Sequence, residues 1–179
     1  MTLVKPSSEL EKAALARLEE RGVELEEIAE LVYDLQIPYL KDLKMEDCLE
    51  NVKAVLRKRE IQNAVLVGVE LDVLAERKML SSPLQEIVEN DEGLFGIDEV
   101  LALAIVNVYG TIGLTNFGYL DKLKPKVIRR LDSHKDDEDE VNTFLDDIVG
   151  AIAAAAASRI AHANPVESDR KIDLSVLDD

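Results

Sequence analysis

The segment TFLDDIVGAIAAAAASRIAH (143–162) decides how this chain folds. Five consecutive alanines, Ala153 to Ala157, lie at its centre. Side chains this small let neighbouring helices approach closely. The run therefore predicts a helix from Phe144 to about His162 that serves as the central packing element of an all-helical bundle. It is too short, and too interrupted by Arg159, to span a bilayer well. His162 at its end favours the helix C-terminus electrostatically.

The neighbourhood of that helix is unusual in where its acids fall. Between Asp91 and Ala163, Asp98-Glu99, Asp121 and Asp146-Asp147 are set in otherwise apolar or small-residue sequence, together with all three phenylalanines. A carboxylate is costly in such surroundings unless something pairs with it. A divalent cation is one partner that fits, and Lys124 and Arg129 nearby fit the phosphate such a cation would hold.

Composition narrows the class. A chain of 179 residues, 47% hydrophobic and 32% charged, is long enough for one core and short for two. The expected organisation is a single all-helical domain over 1–165 and a polar, acidic tail over 166–179, with Ile172, Leu174, Val176 and Leu177 as anchors on a neighbouring element or another subunit. A net charge of −16 argues against nucleic acid and against broad adsorption to anionic lipid. The single cysteine, Cys48, cannot form an internal disulfide and reads as a buried, inert thiol of a cytoplasmic protein. The opening MTLVKPSSELEKAA lacks the apolar stretch of a signal peptide.

Taken in order, Ser7 to Arg21 reads as a first helix, with Leu10, Ala14, Leu15 and Leu18 at helical spacing and Gly22 closing it. Leu25 to Leu35 carries Ile28, Leu31 and Val32 on one face and stops before Pro38. A third helix runs from Met45 to near Glu60, and Ile61 to Met79 continues it or breaks near Asn63. Glu70 and Asp72 fall there and read as exposed positions on an amphipathic helix. Ser81-Ser82-Pro83 starts a short helix to about Glu89.

Asp98 to Tyr109 is hydrophobic nearly all round, which predicts a helix buried on most sides. Val100 to Leu120 contains no charged residue and is long enough to be considered as a membrane span, but Asn107, Asn116, two threonines and three glycines weigh against one. Gly110-Thr-Ile-Gly113 reads as a turn between two helices, or as a loop wrapping a phosphate. Phe117 to Leu123 is a further helical piece, ended at Lys124 because the residue before proline is pushed out of helical geometry. SHKDDEDE (133–140) reads as a solvated loop, with His134 a bystander within it.

The segments DEGLFGIDEVLALAI, YLDKLKPKVIRRLD and TFLDDIVGAIAAAAASRIA resemble the phosphatidylglycerophosphatase A family, in its soluble YutG-like or low-temperature-requirement-like branch. The combination of D-E, L-D-x-x-K-P-x-x-x-R and L-D-D-I-V in that order carries the resemblance, which covers most of the chain. It implies Mg2+-dependent removal of the terminal phosphate from phosphatidylglycerophosphate. The spans and N-terminal Gly-Thr-x-Gly-Ser loop of the membrane-embedded members have no counterpart in the first half of this sequence.

On that resemblance, Asp98, Glu99, Asp121, Asp146 and Asp147 hold one or two magnesium ions, with Asp121, Asp146 and Asp147 closest to the chemistry. Lys124 and Arg129 neutralise the phosphate. Adjacent acids on a helix point roughly 100° apart, so one of each pair can face the metal while the other braces it. Capping competes with this reading: Thr143 with Asp146 fits a capping box, and Asp98-Glu99 lies in a first helical turn. The substrate expected is a phospholipid headgroup or a soluble phosphomonoester, met at the membrane periphery, and self-association of the chain is a further expectation. Two other classes stay in view. One is a helical scaffold that keeps the carboxylates without lipid phosphatase activity. The other is a nucleotide pyrophosphohydrolase, which calls for E-x-x-E followed downstream by E-x-x-D; Glu27 and Glu30 give the E-x-x-E, but Glu46, Asp47 and Glu50 in the next acidic helix have the wrong spacing for the second half.

Overall fold

The computed structural model describes residues 7–133 and 140–164. Most of the SHKDDEDE stretch with His134, and the tail from 165 onward, therefore lie outside the described residues. Nine α-helices and no strand occur among the described residues: α1 (Ser7–Glu20), α2 (Leu25–Gln36), α3 (Met45–Leu56), α4 (Arg59–Glu76), α5 (Leu84–Glu89), α6 (Ile97–Val106), α7 (Gly110–Leu123), α8 (Val127–Ser133) and α9 (Leu145–Ala163). A 3₁₀ turn, Asn107–Tyr109, joins α6 to α7.

Helix α9 is the axis of the bundle, as its alanines predict. It packs against α2, α3, α4, α6, α7 and α8, and every residue from Leu145 to Ser158 is buried. Helix α1 reaches the core through α4, inserting Ala14 and Leu18. Glu27 closes the start of α2 by accepting from the Glu24 amide at 3.1 Å, and Ile28, Leu31 and Val32 form its buried face. The expected single break in the third helical stretch falls at Arg57-Lys58, slightly ahead of Asn63, and separates α3 from α4. Cys48 is fully buried, and burial pushes its thiol up to about 11.

Of two expectations for the apolar stretch, one holds at a single residue and one is corrected. The turn expected at Gly110 to Gly113 falls at Gly110, whose φ of +72 and ψ of −162 break the helix, while the residues after it already belong to α7; a Cβ on Gly113 would stand 3.5 Å from Val106 Cβ, so α7 folds back along α6. The corrected expectation is that α6 is enclosed on most sides. One face, with Asp98, Ala102, Ile105 and Val106, is buried, while Val100, Leu103, Ala104 and Val108 face outward. A sequence apolar on all sides reports only that no face asks for water, not that protein covers each face. By length and composition alone the stretch Ile97–Leu123 is apolar enough to cross a membrane, but the break at Gly110 divides it into two shorter helices.

Close approach at the centre is visible at Gly68 of α4. A Cβ there would stand 2.3 Å from Ile148 Cδ1 and 3.1 Å from Phe144 Cβ. Helix propensity alone would favour alanine by about 1 kcal/mol. Overpacking a filled core costs about 1–3 kcal/mol, so packing decides the sign. Gly68→Ala is expected to lower stability by about 1 kcal/mol in a denaturant melt; a gain would show that α4 and α9 are less tightly apposed than this geometry requires.

Candidate metal centre

The site sits where α9 begins. Its acids are fixed by a carboxylate from another helix: Asp72 of α4, read from the sequence as exposed, is completely buried. Asp72 accepts from the Phe144 amide at 3.1 and 3.3 Å and from the Leu145 amide at 3.0 Å. These are donors that the first turn of a helix cannot satisfy internally. Burial pushes the Asp72 carboxyl well above the usual range, against the pull of those amides and of Arg21. Glu70, two residues earlier, remains partly exposed and pairs with Arg17 at 2.7 Å.

The cap anticipated from Thr143 is absent. The Thr143 hydroxyl instead donates to the Val88 carbonyl at 2.6 Å, tying the entrance of α9 to α5. Arg21 secures the preceding residues: it pairs with Glu76 at 2.6 Å and donates to the Val141 carbonyl and Asn142 Oδ1, each at 2.8 Å. Glu76 in turn accepts from the Val141 amide at 2.9 Å. The start of α9 is thus held by α1, α4 and α5 together.

From this fixed start, Asp146 and Asp147 diverge as helical geometry requires. Asp147 faces α6, where its carboxylate, that of Asp98 and that of Glu99 each offer an oxygen, all within 4.8 Å of one another. Asp98 Oδ1 and Glu99 Oε2 are buried without a hydrogen-bond partner. Gly96 at φ +68 supplies the left-handed turn from which α6 projects both acids. Three carboxylates at this separation, two of them with an orphaned oxygen, match the hard oxygen donors that a divalent cation such as Mg2+ requires.

Asp146 turns the other way. Its Oδ1 accepts from the Asp147 amide at 2.8 Å and its Oδ2 receives the Lys124 ammonium at 2.6 Å. Lys124 also stands 3.7 Å from Asp121 and 3.6 Å from Asp132. It closes α7 in a left-handed conformation, φ +44, because Pro125 bars further helix. That strained corner aims the side chain inward. All five acids expected at the site therefore gather at one end of the bundle, three in mutual reach and two, Asp121 and Asp146, around Lys124.

Arg129 is placed differently: it is exposed on α8 and forms no ion pair among the described residues. Its neighbours Lys126 and Arg130 bind α2 instead, Lys126 with Asp34 at 2.7 Å and Arg130 with Glu27 at 2.8 Å. Lys126 also pairs with Glu30 at 3.4 Å, so both glutamates of the E-x-x-E pattern are engaged in ion pairs, Glu27 with α8 and Glu30 with the residue just ahead of it. Sequence reasoning missed Asp72 and Asp132. Asp132 ends the VIRRLD segment and carried a signal only in its proximity to Lys124.

Crowding shows in proton affinity. Burial, then the Glu99 carboxylate, pushes Asp98 up to about 7. Burial, then Asp146, pushes Asp147 up to about 8, with Lys124 opposing and Asp121 and Asp98 adding to the rise. Asp146 is raised by burial to about 6, restrained by Lys124. For Lys124, burial works against the charge, but Asp146, Asp147 and Asp132 outweigh it and the pKa rises.

Fold and site define a class: an all-helical protein with a partly enclosed carboxylate cluster beside a carboxylate-bound lysine. The chain belongs to the phosphatidylglycerophosphatase A family, whose profile matches residues 14–162. YutG of Bacillus subtilis (strain 168), described as an uncharacterized protein, is 59% identical over 155 residues, covering 87% of this chain and 92% of YutG. The low temperature requirement C protein from Listeria monocytogenes is 59% identical in its crystal structure and superposes with a TM-score of 0.85, covering 88% of this chain and 98% of that one. A protein of unknown function from Bacillus stearothermophilus, also 59% identical, superposes at 0.83 over 87% of this chain and 95% of its own.

Two outcomes follow for the protein in solution. Carboxyls raised in the folded state lend stability below their unfolded pKa of about 4 and lose it as pH rises through the folded values. For Asp98, Asp146 and Asp147 that window reaches from about 4 to about 8. The metal-free chain should melt at a lower temperature at pH 8 than at pH 5. Added Mg2+ or Mn2+ should raise melting more at pH 8, where fewer protons need displacing; a metal effect independent of pH would count against this cluster as the binding site. Separately, Asp72→Ala leaves two buried amides unsatisfied and should cost about 1–3 kcal/mol in a denaturant melt.

Proposed function

We propose that this chain is a magnesium-dependent phosphomonoesterase that removes the terminal phosphate of phosphatidylglycerophosphate, leaving phosphatidylglycerol. The observation that carries the proposal is the trio Asp98, Glu99 and Asp147, with two buried, unpartnered oxygens, in a chain of the phosphatidylglycerophosphatase A family. The trio would hold the ion. When bound there, a hard dication supplies positive charge to the phosphoryl oxygens.

The remaining residues act on the substrate and on each other. Lys124, inward-facing and charged, is the group that meets the phosphate, and Asp146 holds its ammonium in position. Asp121 and Asp132 flank that lysine and limit where it can swing. Arg129, open to solvent on α8, is available to a phosphate arriving from outside. Water adds to phosphorus, the bond from phosphorus to the glycerol oxygen breaks, and that oxygen leaves as an alcohol after taking a proton. The substrate implied is a lipid headgroup reached from the cytoplasmic side, with a soluble phosphomonoester as the simpler surrogate.

Phosphate release from detergent-dispersed phosphatidylglycerophosphate, with and without magnesium, tests this directly. Asp98→Asn and Asp147→Asn should each reduce release by on the order of 100-fold or more, and Asp146→Asn by about 10- to 100-fold through misplacement of Lys124, with helicity retained. Absence of release from both the lipid and a water-soluble phosphomonoester by the unaltered chain would leave the helical scaffold reading in its place.

A further inference from the structure

The mouth of the carboxylate site is flanked by apolar side chains that neither the core nor the proposed chemistry uses. Because the backbone breaks at Gly110, α6 and α7 form a hairpin on α9 whose two free ends lie together. Helix α6 begins beside Asp98, α7 ends at Lys124, and both stand at the first turn of α9 through Asp147 and Asp146. The site opens here, since Asp121, Lys124 and Asp132 each keep part of the side chain exposed. Around that opening, Leu94, in the connector ahead of α6, is 94% exposed. Ile97 and Val100, one turn apart on α6, are 53% and 58% exposed; Tyr119 and Leu123, one turn apart on α7, are 56% and 47% exposed. Single exposed apolar residues are ordinary, but a group of them gathered at the entrance of a site marks a surface that something covers.

Charge indicates what covers it. The hairpin carries no charged residue from Val100 to Leu120, on a chain whose net charge is −16. The carboxylates that keep most of this surface away from an anionic layer are thus missing from this face. Exposed Lys122 and Arg129 follow at the same end. Exposed Glu92, beside Leu94, opposes them, so that attachment has to come chiefly from the apolar side chains. Apolar residues with a tyrosine among them and basic residues at the edge are the composition that favours the headgroup level of a bilayer.

We infer that this rim is a shallow membrane-docking surface: Leu94, Ile97, Tyr119 and Leu123 enter the interfacial layer of a lipid bilayer, Lys122 and Arg129 lie among its anionic headgroups, and the mouth of the site faces the lipid. The inference rests on the phosphatase reading for its lipid substrate and adds how that substrate is reached. The chain lies on the bilayer and does not cross it, because the other face of the hairpin is packed on α9. A second copy of the chain is the competing occupant, but seated on this rim it would close the opening through which the phosphate must enter.

Flotation of the full chain with equimolar phosphatidylethanolamine and phosphatidylglycerol vesicles, at low and at high salt, reads docking without turnover. The unaltered chain should float at both. Leu94→Glu and Tyr119→Glu should each weaken partitioning by about 10-fold or more, the loss of one large apolar side chain from lipid, with helicity unchanged. Tyr39, 75% exposed, shares a cleft with Ala163 and Asn164 at the opposite end of α9, and Tyr39→Glu should float as the unaltered chain does. Phosphate release from a water-soluble phosphomonoester should be unchanged in Leu94→Glu and Tyr119→Glu; its absence from the unaltered chain would count against the phosphatase reading, whereas flotation decides docking. An unaltered chain that does not float, flotation indifferent to Leu94→Glu and Tyr119→Glu, or an equal loss in Tyr39→Glu would each overturn the inference. Complete release at high salt would do the same, by reducing attachment to adsorption through Lys122 and Arg129. So would a two-copy mass in sedimentation velocity that Tyr119→Glu reduces to one copy, without flotation, which would assign the rim to self-association.

Discussion

The rest of the structure depends on the Asp72 carboxylate receiving the amides of Phe144 and Leu145. The residue at the N-cap of α9, Phe144, has no polar side chain to close the first turn, and Thr143 is occupied with Val88. A cap supplied by α4 solves two problems with one group. It satisfies buried donors, and it fixes the axial position of α9 relative to the bundle, so that the residues just inside the helix emerge at a determined height. Those residues are Asp146 and Asp147. The placement of the acids is therefore a by-product of how the central helix is terminated.

Given that placement, the division of labour between the two aspartates follows from helical geometry. Asp147 looks toward Asp98 and Glu99, and Asp146 toward Lys124. Lys124 can occupy its position only because Pro125 ends α7 and the backbone bends into a left-handed conformation. Negative charge is thereby partitioned: one part is balanced within the protein by lysine, the other is left for something from outside. The unpartnered oxygens of Asp98 and Glu99 lie on the second side.

Much of this was legible in the sequence, for reasons that differ by element. Helices α1, α2 and α9 announce themselves through the spacing of Leu18, Ile28 and Leu31 and through the alanine run, because local periodicity and side-chain size are local properties. The acids of the site were found because a carboxylate in apolar surroundings is conspicuous. Asp72 was missed because its partners lie more than seventy positions further along the chain, and nothing near it in sequence distinguishes a capping carboxylate from a surface one. The burial of α6 was overestimated for a related reason. Hydrophobicity records compatibility with a dry environment, while the partner that makes it dry is not written in the segment itself. Likewise, Asp146 was read as part of one undivided cluster, since the inward swing of Lys124 depends on a backbone angle rather than on residue type.

The alanine run at the centre of α9 has one more consequence. Alanine has no rotamers to lose, so burying these residues within a helix that six others surround freezes almost no side-chain motion. The middle of the bundle is consequently ordered chiefly by backbone shape. Ageing or oxidative chemistry, which works on sulfur, amide and aromatic groups, finds no target anywhere between Ala153 and Ala157.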